Sequence, residues 1–337
     1  MISSDGLQEG QTRFVQLIRR LKWAVLIFVP ASLLSEASRA QGCCTAGTPI
    51  LGTLELGSSP PNTLQFNVTY EYTFRDRFYL GNDRVDDPTV YGQARRDQAI
   101  HSVLLETAYG LSRRVSVSSV LSFTRRGLDR TSSAPGGGVT TSLNNSGLSD
   151  GVFLVKYSIV PLGLISQREV ALGGGVKVPL GSYDKTQLNR VVFPFDMQQG
   201  TGSWDGILWG YFYQGFLPTR VHLFANALHR FTGTNRVGYK FGNEIFATVG
   251  VSYRTPRYLD FSLQGRYRHL QADELGGAPL LNTGGDWLYL VPTVNVNPAN
   301  DVSVRLFSQL PVYQSVTGIQ LTTTYTLGLG VAYNVRL

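Results

Sequence analysis

The sequence predicts an all-β fold, an antiparallel transmembrane β-barrel of about twelve strands preceded by a cleavable signal peptide. Three observations carry that expectation. The last segment alternates without a break between two kinds of side chain, connections alternate between long and short, and no segment is apolar for long enough to cross a bilayer as a helix.

Residues 1–40 read as the signal peptide. Arg13, Arg19, Arg20 and Lys22 precede an apolar run from Trp23 to Leu34, and Ser38-Arg39-Ala40 supplies the small residues of a cleavage site. The run is well short of the roughly 20 residues that a spanning helix needs, and no later run approaches that length. Residues 41–61 form a lead-in with Pro49, Pro60 and Pro61, either periplasmic or entering the lumen, and residues 62–337 form the barrel. Cys43 and Cys44 are adjacent, which excludes a staple between distant parts of the fold. Lipidation, a redox or metal role, and an exposed pair on an N-terminal tail all remain open for them.

The first strand sets Leu64, Phe66, Val68, Tyr70, Tyr72 and Phe74 against Thr63, Gln65, Asn67, Thr69, Glu71 and Thr73. Further two-residue periodicity is expected at 99–111, 114–125, 149–160, 168–179, 205–215, 219–231, 243–254, 258–270, 286–296, 301–310 and 319–337. The last of these is the clearest. Tyr325, Leu327, Leu329, Val331, Tyr333, Val335 and Leu337 share one face, and Thr324, Thr326, Gly328, Gly330, Ala332, Asn334 and Arg336 share the other. An apolar face against lipid and a small polar face against a wet lumen account for this pattern. Tight connections fall at Ser112-Arg113, Leu217-Pro218, Thr255 to Arg257 and Asn297 to Asn300, and longer ones at 75–98, 126–148, 180–204 and 271–285. Outer-membrane barrels sort their connections in this way, with short periplasmic turns and longer outside loops, and an even strand number leaves both ends in the periplasm.

The opposite parity then faces the lumen. It holds Glu71, Glu106, Lys156, Lys177, Glu244, Arg266, Arg268 and Arg305 as candidates for selectivity, with Glu169, Arg254, Asp260, Asp301 and Gln309 on the same parity. Opposite charges meeting across a lumen satisfy one another, while a ring of them selects what passes. Arg266, Arg268 and Arg305 are expected to form one positive patch. Leu104, Leu154, Phe212, Phe224, Phe246 and Phe307 share the lumen parity, a mixture that suits small amphipathic or aromatic solutes. Trp204, Trp287 and Tyr333 are expected to anchor the barrel at the membrane interfaces.

Little points to chemistry. No nucleophile-elbow or phosphate-loop pattern is complete, His101, His229 and His269 fall at outer strand ends in an interface belt, and neither enzyme activity, a metal nor a cofactor is expected. The formal charge of +7 falls to +5 without residues 1–40 and is scattered, so no nucleic-acid partner is expected. The expected partners are outer-membrane lipid, the barrel-assembly machinery through the final strand, and a small-molecule solute.

Several short motifs stand in a fixed order: Gly147-Leu148-Ser149-Asp150-Gly151, Val178-Pro179-Leu180-Gly181-Ser182-Tyr183-Asp184-Lys185, Gly200-Thr201-Gly202-Ser203-Trp204-Asp205, and Leu310-Pro311-Val312-Tyr313-Gln314 with Gly318-Ile319-Gln320-Leu321. Together they resemble the bacterial outer-membrane family labelled for meta-pathway phenol degradation. The resemblance implies a barrel that passes hydrophobic or aromatic compounds, and it carries over no catalytic residue. The chain departs from barrels that close on an aromatic residue, since Leu337 stands last. The function expected is that of an outer-membrane channel or transporter. A structural or surface-binding barrel with a plugged lumen is the alternative, and an outer-membrane hydrolase a third reading.

Overall fold

Alternating polarity along each segment is satisfied by a closed sheet with lipid outside and side chains packed within. The computed structural model describes residues 57–132, 139–187, 191–255, 258–299 and 301–337. The expected signal peptide and the Cys43-Cys44 pair lie outside the described residues. The barrel strands are β1 (Thr63–Arg75), β2 (Arg95–Gly110), β3 (Val115–Ser132), β4 (Gly151–Val160), β5 (Arg168–Val178) and β6 (Asp205–Phe216). They continue with β7 (Val221–Phe231), β8 (Glu244–Arg254), β9 (Leu259–Leu270), β10 (Gly285–Ala299), β11 (Val302–Thr322) and β12 (Tyr325–Arg336). Each pairs antiparallel with the next, and β12 closes on β1 from Thr63↔Arg336 to Phe74↔Tyr325, giving the twelve-stranded barrel.

On β12, Leu327, Leu329 and Val331 are 48%, 48% and 46% exposed while Thr326 is buried, and Gly328 and Gly330 face inward with it. The same outward apolar band runs through Val103 and Leu105 on β2, Val155 and Tyr157 on β4, and Val249 and Val251 on β8. A closed sheet leaves no backbone edge in the hydrocarbon layer, so the chain is a bacterial outer-membrane barrel.

Short turns at 111–114, 161–167 and 217–220 lie at one end, where β8 also passes to β9 and β10 to β11, and the long connections lie at the other. The connections contain more strand than expected, and in two places it extends the barrel wall. Val139–Leu148 pairs with β3 from Phe123↔Leu148 to Ser132↔Val139, so the wall continues above β4. Its sequence carries Thr, Ser and Asn on both parities because neither face meets lipid there. Similarly, the stretch left between the strands expected at 301–310 and 319–337 is mostly paired. The chain climbs to Val316 beside Gly285 and turns at Thr317-Gly318, where Gly318 has φ +73°. It then descends along Arg77–Gly81 with Ile319↔Leu80 and Thr322↔Arg77, and enters β12 after Thr323-Thr324. Glycine adopts that left-handed backbone without the steric cost of a Cβ.

Candidate functional site: the lumen

Inward-facing side chains form three levels along the barrel. The outer level is a chain of buried ion pairs. Cross-strand register opposes Lys177 on β5 to Asp205 on β6, and Arg230 on β7 to Glu244 on β8. Directly opposed inward positions bring opposite charges within reach. Lys177 Nζ lies 2.9 Å from Asp150 Oδ2 and 3.0 Å from Asp205 Oδ2, and Arg230 reaches Asp205 at 4.0 Å and Glu244 at 2.9 Å. Arg268 on β9 completes the chain with Nε 2.7 Å from Glu244 Oε1. The partners are almost wholly shielded from water, so each charge depends on its neighbours.

Three of the glycine-rich motifs meet at the start of this chain. Asp150 follows the break between Val139–Leu148 and β4, and its carboxylate accepts the Gly181 N–H at 3.1 Å, the Thr201 N–H at 3.0 Å and the Thr201 hydroxyl at 2.8 Å. Lys177 Nζ also donates to Thr201 Oγ1. Asp205 Oδ1 accepts from Ser203 Oγ and the Gly233 N–H, both at 3.0 Å. The two ends of the 179–204 connection cross so closely that a Cβ on Gly181 would stand 2.7 Å from Gly200 Cα, and one on Gly200 2.3 Å from the Gly181 carbonyl oxygen. Only glycine permits that crossing.

From this crossing the connection folds inward across the outer mouth. Met197, Gln198 and Gln199 are fully buried. Asn145 donates to the Met197 carbonyl at 2.9 Å, Arg126 to the Asp196 carbonyl at 3.2 Å, and Asn235 to the Thr201 carbonyl at 3.0 Å. Phe195 stacks on Tyr239 at 3.8 Å between ring centroids, and Phe241 and Leu280 complete an apolar cap drawn from three connections. Below it, Asp273 accepts the Tyr239 hydroxyl at 2.5 Å and the Gly242 N–H at 2.8 Å.

Burial outweighs those hydrogen bonds and raises the Asp273 carboxyl to about 6. The folded cap therefore keeps a proton over a pH range, from roughly 4 to 6, in which the unfolded chain has released it, and stability falls as pH rises across that window. Hydrogen exchange at the Tyr239 and Gly242 amides is expected to quicken between pH 4 and pH 7, beyond the intrinsic pH dependence of exchange. Asp273→Asn should remove that excess. An equal profile in the two proteins would show that Asp273 does not titrate in this range.

The middle level is apolar on one side and charged on the other. Trp209, Leu154, Val152, Ile207 and Phe246 form one buried cluster, and Trp287, Tyr289, Val291 and Phe307 belong to a second. Cations lie over these rings: Lys156 Nζ is 4.5 Å from the Trp209 centroid, Arg305 Cζ 4.9 Å from Phe307, and Arg268 Cζ 4.9 Å from Trp287. Arg305 lies in the field of Glu71 and Glu106, and Glu106 in turn faces Lys156. Arg266 donates to Gln309 at 2.5 Å.

The third level is a periplasmic vestibule of about 240 Å³, walled by Tyr211, Tyr213, Phe224, Arg254, Asp260 and Arg305 among others. Beside it, residues 57–59 enter the barrel. The Ser58 N–H donates to Glu169 Oε1 at 2.9 Å, Lys156 Nζ to the Gly57 carbonyl at 3.3 Å, and Ser59 Oγ to Gln65 at 2.7 Å.

Glu71, Glu106, Lys156, Arg266 and Arg305 thus face the middle lumen, whereas Lys177, Glu244 and Arg268 belong to the outer ion-pair chain. The expected arginine patch is divided, because Arg268 turns to Glu244 while Arg266 and Arg305 stay together. Trp204 and Tyr333 are exposed. Trp287, expected at a membrane interface, is 1% exposed and lies inside. On β10 it shares the inward parity with Tyr289 and Val291, and its ring covers the Arg268 guanidinium. Phe212, expected in the lumen, is 41% exposed, since Asp205, Trp209 and Tyr211 fix the inward parity of β6 as the odd positions. Asp301 sits exposed in the periplasmic turn. Sequence reasoning missed Asp150, Thr201 and Arg230, although the Gly-rich segments around the first two marked where to look.

Among the described residues, no group of three or more His, Cys, Asp or Glu side chains could hold a metal ion. No family model matches the chain, and no curated protein matches it. In structure it is similar to an outer membrane channel from Pseudomonas putida F1, with 12% identity, 84% of this chain and 98% of that chain covered, and a TM-score of 0.61. More distant are the toluene transporter TodX of P. putida (9% identity, 82% and 91% covered, TM-score 0.43) and the β domain of the Bordetella autotransporter BrkA (11%, 80% and 99%, 0.42). The chain therefore has the outer-membrane barrel fold of the P. putida F1 channel.

Proposed function

We propose that this barrel passes small hydrophobic or aromatic solutes across the outer membrane through its lumen. The observation that carries this reading is the inner wall, where Trp209, Tyr289, Phe246 and Phe307 stand against Lys156, Arg266, Arg305, Glu71 and Glu106. A wall built only to fill the barrel has no need of charges beside aromatic rings. A wall that a solute slides along benefits from both, since the rings take the apolar body and the charges keep water and ions in order. The same five charged residues are the proposed selectivity groups, and Lys177, Glu244 and Arg268 brace the mouth. The motif resemblance to the family labelled for meta-pathway phenol degradation supports this solute class. We assign no enzyme activity, and take the final strand as the part recognised by the assembly machinery.

A second reading, a plugged barrel that binds at the surface, is favoured by the inward course of residues 57–59 and 195–203. Liposome swelling with small aromatic solutes separates the two. The wild-type barrel should admit them, and Phe195→Ala, which removes the ring stacked on Tyr239, should speed entry severalfold. If neither protein admits solute, the plugged reading replaces the channel.

A further inference from the structure

The charges of the periplasmic vestibule are matched among themselves. Arg254 Nε lies 3.6 Å from Asp260 Oδ2, to which Asn297 also donates at 3.0 Å, and Arg305 faces Glu71. Apart from Asp260 Oδ1, the second oxygen of the carboxylate that Arg254 and Asn297 hold, three neutral side chains there keep an atom without a hydrogen-bond partner. His222, Gln264 and Thr293 line the cavity at 7%, 3% and 4% exposure, and His222 Nε2, Gln264 Oε1 and Thr293 Oγ1 make no hydrogen bond within the protein. Burying such atoms without a partner costs about 1–3 kcal/mol each, so three on one arc of wall mark a place built for a complement. They belong to one stretch of wall, with Gln264 and Thr293 on adjacent strands and His222 two strands from Gln264. Thr293 on β10 is opposite Ser262 on β9, one inward position from Gln264, and His222 on β7 is opposite Ser252 on β8.

Flat apolar surface stands beside them. The Tyr213 and His222 rings stack at 5.6 Å with 17° between their planes, fixed by a 2.7 Å contact between the Tyr213 hydroxyl and His222 Nδ1. With that nitrogen engaged, Nε2 is the imidazole atom left to meet a ligand. At about 240 Å³ the space lies below the roughly 300–1,000 Å³ of sites that hold drug-sized molecules, a size that suits a single ring.

We propose that the vestibule is a binding site for a small neutral ring compound bearing hydroxyl groups on its edge. The ring lies against the Tyr213–His222 pair, and its hydroxyls both donate and accept: Gln264 Oε1 accepts a hydrogen bond from one of them, and Thr293 and His222 complete the set. An anion gains nothing from Gln264 Oε1, and a plain hydrocarbon leaves all three polar atoms unpaired. The proposal refines the solute class of the channel reading and rests on it for its meaning as a waypoint, but binding can be measured without flux.

Four probes, titrated by calorimetry into the detergent-solubilised full barrel, test it. They are resorcinol (aromatic ring, hydroxyls), myo-inositol (saturated ring, hydroxyls), toluene (ring alone) and benzoate (ring with an anion). At least one hydroxylated ring should bind about tenfold or more tightly than both toluene and benzoate, and which one it is identifies an aromatic or a polyol ligand. Thr293→Val and Gln264→Met each remove one hydrogen-bonding group at similar volume and should weaken that binding up to about tenfold, while the melting temperature of the ligand-free barrel holds or rises because an unpartnered buried atom is gone. The assignment is overturned if toluene or benzoate binds as well as the hydroxylated rings, if none of the four binds, or if neither variant alters binding. Binding without liposome entry would remove the channel reading and keep the site, whereas entry without binding would do the reverse.

Discussion

Replacing Lys177 with Met is expected to destabilise the folded barrel by about 3–5 kcal/mol, the cost of removing one partner from a buried ion pair. The ammonium is wholly buried between two carboxylates, Asp150 at 2.9 Å and Asp205 at 3.0 Å. Asp150 would keep three hydrogen bonds from Gly181 and Thr201, and Asp205 would keep Ser203, Gly233 and the more distant Arg230, so neither group is stripped bare. Two negative charges would nevertheless face each other with only part of one cation between them. The measurement is the urea midpoint for unfolding from lipid vesicles. Adding Asp150→Asn to the variant should recover part of the loss, because it removes one of the stranded charges. A change below about 0.5 kcal/mol would mean that water reaches this level of the barrel and screens the pair.

The second large effect separates the two faces of β12. Val331 points outward near the middle of its strand, and an arginine there should cost about 2–4 kcal/mol against the hydrocarbon layer. Its neighbour Ala332 lines the vestibule, where the same side chain meets water and the existing charges. Val331→Arg should therefore lower the fraction of protein that migrates as the compact folded form on gels run without heating. Ala332→Arg should fold normally and slow solute entry. Equal folding and equal entry for the two variants would contradict the assignment of faces.

Both predictions begin from the parity of side chains, which is also what made the fold legible. Where one face meets lipid and the other a polar lumen, as from Tyr325 to Arg336, the two-residue period is plain and the strand is placed correctly. It fails where both faces are apolar. In β10 the run Trp287, Leu288, Tyr289, Leu290, Val291 offers no contrast, and Trp287 was expected on the wrong side. Phe212 in β6 fails for the same reason, although Asp205 at the start of that strand fixes its phase. Above the membrane the signal fades differently, since Val139–Leu148 is wetted on both faces and reads as a loop. Lys177 and Glu244 were legible as inward charges, but their partners were not. A pairing such as Thr201 with Asp150 depends on how a long connection folds back, and parity along a strand carries nothing about that.

The seam between β1 and β12 bears on how the molecule is made. Twelve residue pairs join its first and last strands, and the Leu337 N–H reaches the Asn62 carbonyl at 2.8 Å. Until β12 arrives, β1 has an open edge, and a growing sheet would expose unpaired N–H and C=O groups to hydrocarbon at several kcal/mol each. Strand-by-strand insertion is therefore unfavourable at every intermediate stage. The contacts that complete the ladder are also those of greatest sequence separation, the slowest kind to form. Ring closure is thus the committing event of biogenesis, and a weakened seam should appear as chains held in the periplasm and degraded there, before any loss of stability in the finished barrel could be measured.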